Sequence, residues 1–150
     1  MEEHEKTMIL NGRIDVPYNY NTGKVVGKFY DELEENHRLL GIKCPKCKTV
    51  YFPPRQTCGQ CFENMEEWVE VESKGIVTNF TVVHYSEPSY QPVEAPFAQA
   101  LIKLNGSDTP FVHLLGETDL DKIDIGMRVK AVFSDEKTGN ILNIEYFKPE

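Results

Sequence analysis

All four cysteines of this 150-residue chain fall within residues 44–61, CPKCKTVYFPPRQTCGQC, as two C-x-x-C pairs separated by ten residues. Few patterns restrict a fold so tightly. A short C-x-x-C turn converges two thiols, and two such turns facing each other supply four sulfur ligands at about 2.3 Å from a tetrahedral ion. Pro45 and Gly59 lie inside these turns, where a fixed or a permissive backbone is favoured. Two disulfides are the competing use of four cysteines. Disulfides are rare in the cytosol, and the amino-terminal run MEEHEKTM is acidic and lacks the apolar stretch of a signal peptide. Cys44, Cys47, Cys58 and Cys61 are therefore expected to hold a metal. Zinc is expected before iron, with a four-thiolate iron site as the alternative. A closed site has no vacancy for substrate, and a redox C-x-x-C would need one active pair rather than two matched ones. The metal is expected to be structural.

The sequence on either side changes period. Residues 1–23 are polar, carry Pro17 and the run YNYNTG, and read as an extended arm; Tyr18 and Tyr20 would lie on a partner or on the chain's own surface. Residues 24–41 read as an amphipathic helix, with Val26, Phe29, Tyr30, Leu33, His37 and Leu40 near one face and Gly41 as its stop. His37 on that stripe is expected to be packed in the core. Residues 42–73 form the zinc ribbon. Beyond it, β-rich stretches at 75–84, 97–104, 111–116, 127–134 and 141–147 are bounded by Gly, Pro, Asn or Asp, with LDKIDIG forming one helical turn before the fourth. The fold class is expected to be mainly β with an N-terminal helix: a four-cysteine zinc ribbon followed by a five-stranded barrel over 74–150, for which the five strands fit an OB-fold and the pattern alone leaves another small barrel open. Residues 85–96, YSEPSYQPVEAP, link the first two barrel strands with three prolines. If that loop binds a ligand, Tyr85 and Tyr90 are its contact residues; otherwise it is a stiffened hairpin connection.

Charge narrows the function. The net charge is −8, and no apolar run approaches the length of a membrane span, so a cytoplasmic protein is expected. Residues 38–61 hold five basic residues and no acidic one, whereas 62–73 hold five glutamates and no basic one. The cysteine segment is a positive island that would receive a phosphate-bearing ligand, an acidic partner, or only solvent. Single-stranded nucleic acid is a trade of both ribbons and OB-folds. It is disfavoured here, because residues 74–150 carry seven Lys or Arg against eleven Asp or Glu.

The stretches LLGIKCPKCKTVYFPPRQTCGQC, KGIVTNFTVV and IDIGMRVKAVF, with Trp68 between the first two, resemble the DUF35 family of zinc-ribbon and OB-fold proteins that accompany acyl-CoA enzymes. The resemblance runs from about residue 25 to about 147. One departure is Lys48, where a glycine commonly follows the knuckle. The resemblance implies a non-catalytic subunit of a thiolase-type acyl-CoA complex, in a hetero-oligomer, with CoA or acyl-CoA as a ligand shared with the partner. Its alternatives are a hydratase, an aldolase or a hydroxymethylglutaryl-CoA synthase as partner. Arg55 in PPR matches a family motif, as a ligand contact or as part of the ribbon.

No catalytic residue is expected on this chain. Acyl transfer through a thiolase needs a free thiolate, and every cysteine is assigned to the metal. His84 and His113 are expected to be packed or edge residues rather than bases. No G-x-S-x-G, Walker or G-x-G-x-x-G stretch occurs.

Overall fold

In the computed structural model, which describes residues 12, 16–86, 91 and 93–150, the first regular element is helix α1, Gly23–Asn36. Phe29 and Leu33, one turn apart, are its buried positions, while Asp31 and Glu35 stay exposed. The helix expected over 24–41 stops at Asn36. His37 turns left-handed at φ 52°, and the N–H groups of His37 and Arg38 both return to the carbonyl of Glu32. Histidine is among the residues that tolerate this conformation, so Gly41 plays no part in the stop. His37 is not in the core either: it is exposed and lies flat on Phe133, ring centroids 4.9 Å apart.

Leu39 and Leu40, released from the helix, open strand β1, Leu39–Lys43. It is the middle strand of an antiparallel ribbon sheet, between β2, Val50–Tyr51, and β3, Glu67–Val71. Ile42 pairs with Tyr51 on one side and with Trp68 on the other.

The barrel follows as β4, Lys74–Val83; β5, Phe97–Leu104; β6, Phe111–Leu115; β7, Arg128–Phe133; and β8, Ile144–Pro149. It closes in the order β4-β5-β6-β8-β7, with β7 returning to β4 and a parallel contact, Leu115 with Phe147, joining β6 to β8. This is the five-stranded OB topology. The last strand starts later than its sequence suggests. Ile141–Asn143 is a 3-10 turn, because the side chain of Asn140 accepts the N–H of Leu142 at 2.7 Å and caps it. Leu120–Lys122 forms the single turn expected before β7. β4 and β5 approach so closely at Gly75 that a Cβ there would stand 2.3 Å from the carbonyl oxygen of Lys103.

Ribbon and barrel share one core. Phe29 and Leu33 of α1, Leu39 and Leu40 of β1, Phe52 and Val71 pack in one cluster with Val77, Ile102, Phe111, Val129 and Phe147 of the barrel. A line of edge-to-face rings crosses the boundary: Phe29 to Phe52 at 5.6 Å, Phe52 to Phe111 at 4.8 Å, Phe111 to Phe147 at 5.7 Å. The loop between β5 and β6 also covers the outer edge of β2. Asp108 accepts the N–H of Val50 at 2.8 Å and returns its own N–H to the Val50 carbonyl at 2.9 Å. Thr109 Oγ1 accepts from the N–H of Phe52 at 2.9 Å and donates to its carbonyl at 3.0 Å. A strand edge that would otherwise stay unpaired is sealed by the barrel.

Candidate metal centre

The two C-x-x-C turns are built alike. In the first, the N–H of Cys44 donates to the carbonyl of Thr49 at 2.9 Å, and the N–H of Lys48 donates to the carbonyl of Cys44 at 3.1 Å. In the second, Cys58 N–H donates to Glu63 at 2.9 Å and Phe62 N–H to Cys58 at 3.0 Å. The residue after each pair is left-handed, Lys48 at φ 65° and Phe62 at φ 58°. Each turn thereby folds its two sulfurs toward the other turn.

The four sulfurs lie within 4.8 Å of one another, and none is in a disulfide. A tetrahedral ion with 2.3 Å bonds places its sulfurs about 3.8 Å apart. Cys47 and Cys58 Sγ stand at 3.7 Å, so the donor set fits zinc. Cys44 and Cys58 are buried, and Cys47 and Cys61 are half-buried. Beneath them Ile42, Tyr51 and Met65 complete a small apolar cluster. With four protein ligands the ion would be coordinatively closed.

The surroundings divide the thiols electrostatically. The hydroxyl of Tyr51 lies 3.3 Å from Cys58 Sγ, and this hydrogen bond brings the Cys58 thiol down to about 6. Cys47 is lowered first by its hydrogen bond with Thr49 Oγ1, at 3.2 Å. Cys61 goes the other way, pushed up to about 12 by desolvation and then by hydrogen bonds with Cys47 and Cys58. Four thiolates so close cannot all persist without a cation, and a divalent ion is what the cluster is arranged to receive.

Arg55 is exposed, with Cζ 4.8 Å from the centroid of the Tyr51 ring. It therefore stands behind Tyr51, which in turn touches Cys58. Tyr85 lies just past β4 and is 63% exposed, and its carbonyl accepts from Gln91 Nε2 at 3.0 Å. Tyr90 lies outside the described residues. The structure therefore brings the four cysteines together, whereas among the described residues no hydrogen bond or ring contact links Arg55 to Tyr85. One cleft bordering the ribbon, of about 550 Å³, runs past Cys47, Lys48, Tyr51, Gln60 and Thr109; another, of about 320 Å³, includes Lys24, Lys28, Met65 and Trp68, with Lys28 Nζ 4.6 Å from the Trp68 ring centroid.

Among the described residues, no hydrogen bond or ring contact joins one histidine to another. His113 is buried between Phe111 and Phe147, with Nδ1 accepting the N–H of Leu114 at 2.9 Å. His84, expected on a strand face, is exposed one residue beyond the end of β4. No helix among the described residues is long and apolar enough to cross a membrane.

Fold and site together define a class: a four-cysteine zinc ribbon continuous with an OB-fold barrel. Residues 32–66 match the family "ChsH2, rubredoxin-like zinc ribbon domain", and residues 68–134 match "ChsH2, C-terminal OB-fold domain". The chain belongs to the DUF35 family. It is 30% identical over 131 residues to a DUF35 domain-containing scaffold protein of Methanocaldococcus jannaschii, covering 84% of this chain and 92% of the relative. It is 33% identical over 101 residues to a probable enoyl-CoA hydratase alpha subunit of Thermomonospora curvata, covering 67% of this chain and 31% of that longer one. Among solved structures, a chain of the Ltp2-ChsH2(DUF35) aldolase superimposes with a TM-score of 0.62 at 26% identity, covering 87% of this chain and 98% of the other. A Sulfolobus solfataricus DUF35 protein of unknown function shares the fold, with a TM-score of 0.63 at 21% identity over 86% of this chain and 87% of its own.

Proposed function

We propose that this chain is a non-catalytic, zinc-stabilised scaffold subunit that docks on the catalytic subunit of an acyl-CoA enzyme and helps form its CoA site. One observation carries the proposal: all four thiols converge on one metal cluster, leaving no cysteine to accept an acyl group. The names of two relatives support the setting, since one is a chain of an aldolase and another a hydratase alpha subunit.

Two partner classes follow. A thiolase-type partner rests on the resemblance of the sequence, whose overall style is that of the small subunit of a benzoylsuccinyl-CoA-type thiolase. An aldolase or hydratase partner rests on those two names. In either case the partner supplies the reacting groups, and the cytoplasm is the compartment. Arg55, Tyr85 and Tyr90 are the proposed contacts to CoA or to the partner. A tagged pull-down from the native host, with native mass and identification of what co-elutes, tests the proposal. A stoichiometric acyl-CoA enzyme is the expected result and also decides between the two classes. A chain that elutes alone, or with nucleic acid, would overturn it.

A further inference from the structure

On a chain of net charge −8 carboxylates are plentiful, and several cations of the ribbon find one. Arg38 pairs with Glu70 at 2.8 Å, Lys43 with Glu67 at 3.6 Å and Lys46 with Glu63 at 3.8 Å. Lys24 and Lys28, one turn apart on α1 and both exposed, find none among the described residues. Lys28 instead places its Nζ 4.6 Å from the centroid of the Trp68 ring.

Both lysines line the cleft of about 320 Å³ between α1 and the residues that flank the second knuckle. Ile42 and Met65, both buried, form its base, and Trp68 stands half-buried beside them. These side chains and Val25 also belong to the apolar cluster that packs around Cys44 and Cys58. The metal core and the cleft are therefore walls of one construction. The glutamates of residues 62–73 do not cancel the two lysines. Glu63 and Glu67 are drawn to other cations, and Glu66, which lines the cleft, accepts from Asn64 Nδ2 at 2.9 Å.

The lining states what it would hold. Two ammonium groups without a carboxylate suit a phosphorylated group. Apolar base and indole suit a flat ring. The Gln56 amide, which makes no hydrogen bond among the described residues, offers a donor and an acceptor to the edge of such a ring. A heterocycle carrying phosphate answers all three demands. The volume is at the low end for small-molecule sites, about 300–1,000 Å³, and suits one nucleotide rather than a whole coenzyme.

We infer that this cleft binds a phosphorylated adenine nucleotide, and that its occupant is the nucleotide end of CoA. The inference rests on the scaffold function proposed above and adds which part of CoA this chain holds, and where. With the nucleotide anchored here, the pantetheine arm is left to reach the catalytic subunit. Because the base of the cleft is shared with the metal core, zinc is required for binding.

The test titrates the full-length, zinc-loaded chain and reads Trp68, its single tryptophan, by fluorescence. The probes are CoA, adenosine bisphosphate (the nucleotide end of CoA), ATP and pantetheine. CoA and adenosine bisphosphate should quench Trp68 saturably, and pantetheine should not. A variant carrying Lys24→Gln and Lys28→Gln should melt like wild type and bind CoA about tenfold or more weakly. Lys103→Gln, which removes a cation outside the cleft, should bind as wild type. No binding by the wild type, or equal binding by the double variant, would overturn the inference and leave the scaffold function, tested by the pull-down, standing. Binding of pantetheine, or of ATP more tightly than CoA, would overturn CoA's nucleotide as the occupant. CoA binding that survives removal of zinc would overturn the location. Specific CoA binding by a chain that recovers no acyl-CoA enzyme would uphold the cleft and overturn the scaffold function.

Discussion

The hydroxyl of Tyr51 lies 3.3 Å from Sγ of Cys58, and through that contact the pleated sheet of the ribbon reaches the metal cluster. Tyr51 is a strand residue paired with Ile42, so its ring is placed by the sheet rather than by the ligand loops. Partners of this kind orient a ligand and set its basicity.

Tyr51→Phe removes the hydroxyl alone. Zinc affinity should fall about tenfold, read by competition with a chromophoric chelator. The hydrogen bond holds Cys58 down to about 6, so without it protons compete better for that sulfur. Zinc release on acidification should therefore begin at a higher pH in the variant.

Cys44→Ser should lose the metal and unfold the ribbon, with partner binding lost as a consequence. Metal analysis and binding to the catalytic subunit check this together. A Cys44→Ser protein that retained full zinc and full affinity would contradict a structural four-thiolate site.

Phe52 sits where the two halves of the core meet, in ring contact with Phe29 of the helix and Phe111 of the barrel. Phe52→Ala should cost about 3–5 kcal/mol in urea unfolding. Trp68 fluorescence, which reports on the ribbon, and circular dichroism, dominated by the strands, should shift to the same lower midpoint. Two separated transitions would mean that the halves unfold independently.

Gly75→Ala is a backbone test. Its Cβ would meet backbone atoms of Lys103 and Leu104 at less than 3 Å, so the two strands would have to move apart. A destabilisation of about 3 kcal/mol or more is expected, measured as a fall in urea midpoint at constant slope.

His113 makes stability depend on pH. Burial lowers its pKa below the usual histidine value of 6.5, while Nδ1 is already occupied as an acceptor by the Leu114 N–H. The unfolded chain therefore binds a proton more readily than the folded one. This contribution is fully present above about 6.5 and is lost as pH falls from there toward the lower folded value. The melting temperature of the wild type should drop across that window. In His113→Asn, which can still accept from Leu114, that part of the pH dependence should disappear.

Much of this architecture was legible because spacing and alternation report directly on geometry. Two C-x-x-C pairs specify converging thiols, and the alternation in FAQALIKL and FVHLL specifies half-buried strands, which appear at Phe97–Leu104 and Phe111–Leu115. The failures have physical causes. Leu40 fits the helical stripe of α1, yet a left-handed His37 takes it into a strand, and nothing in the local pattern marks that histidine as a stop. Asn140 caps a 3-10 turn in what reads as uninterrupted strand. The second layer of the metal site was hidden for another reason. Tyr51 and Thr49 are ordinary strand and turn residues in sequence, and only the fold brings them to Cys58 and Cys47.

The seal that Asp108 and Thr109 place on the edge of β2 restricts how this molecule can be rearranged by recombination. A ribbon transplanted without its barrel would carry a bare strand edge and an uncovered Phe52. A barrel inherited alone would expose Phe111. Ribbon and barrel can be told apart by eye, but as a unit of inheritance they must travel together.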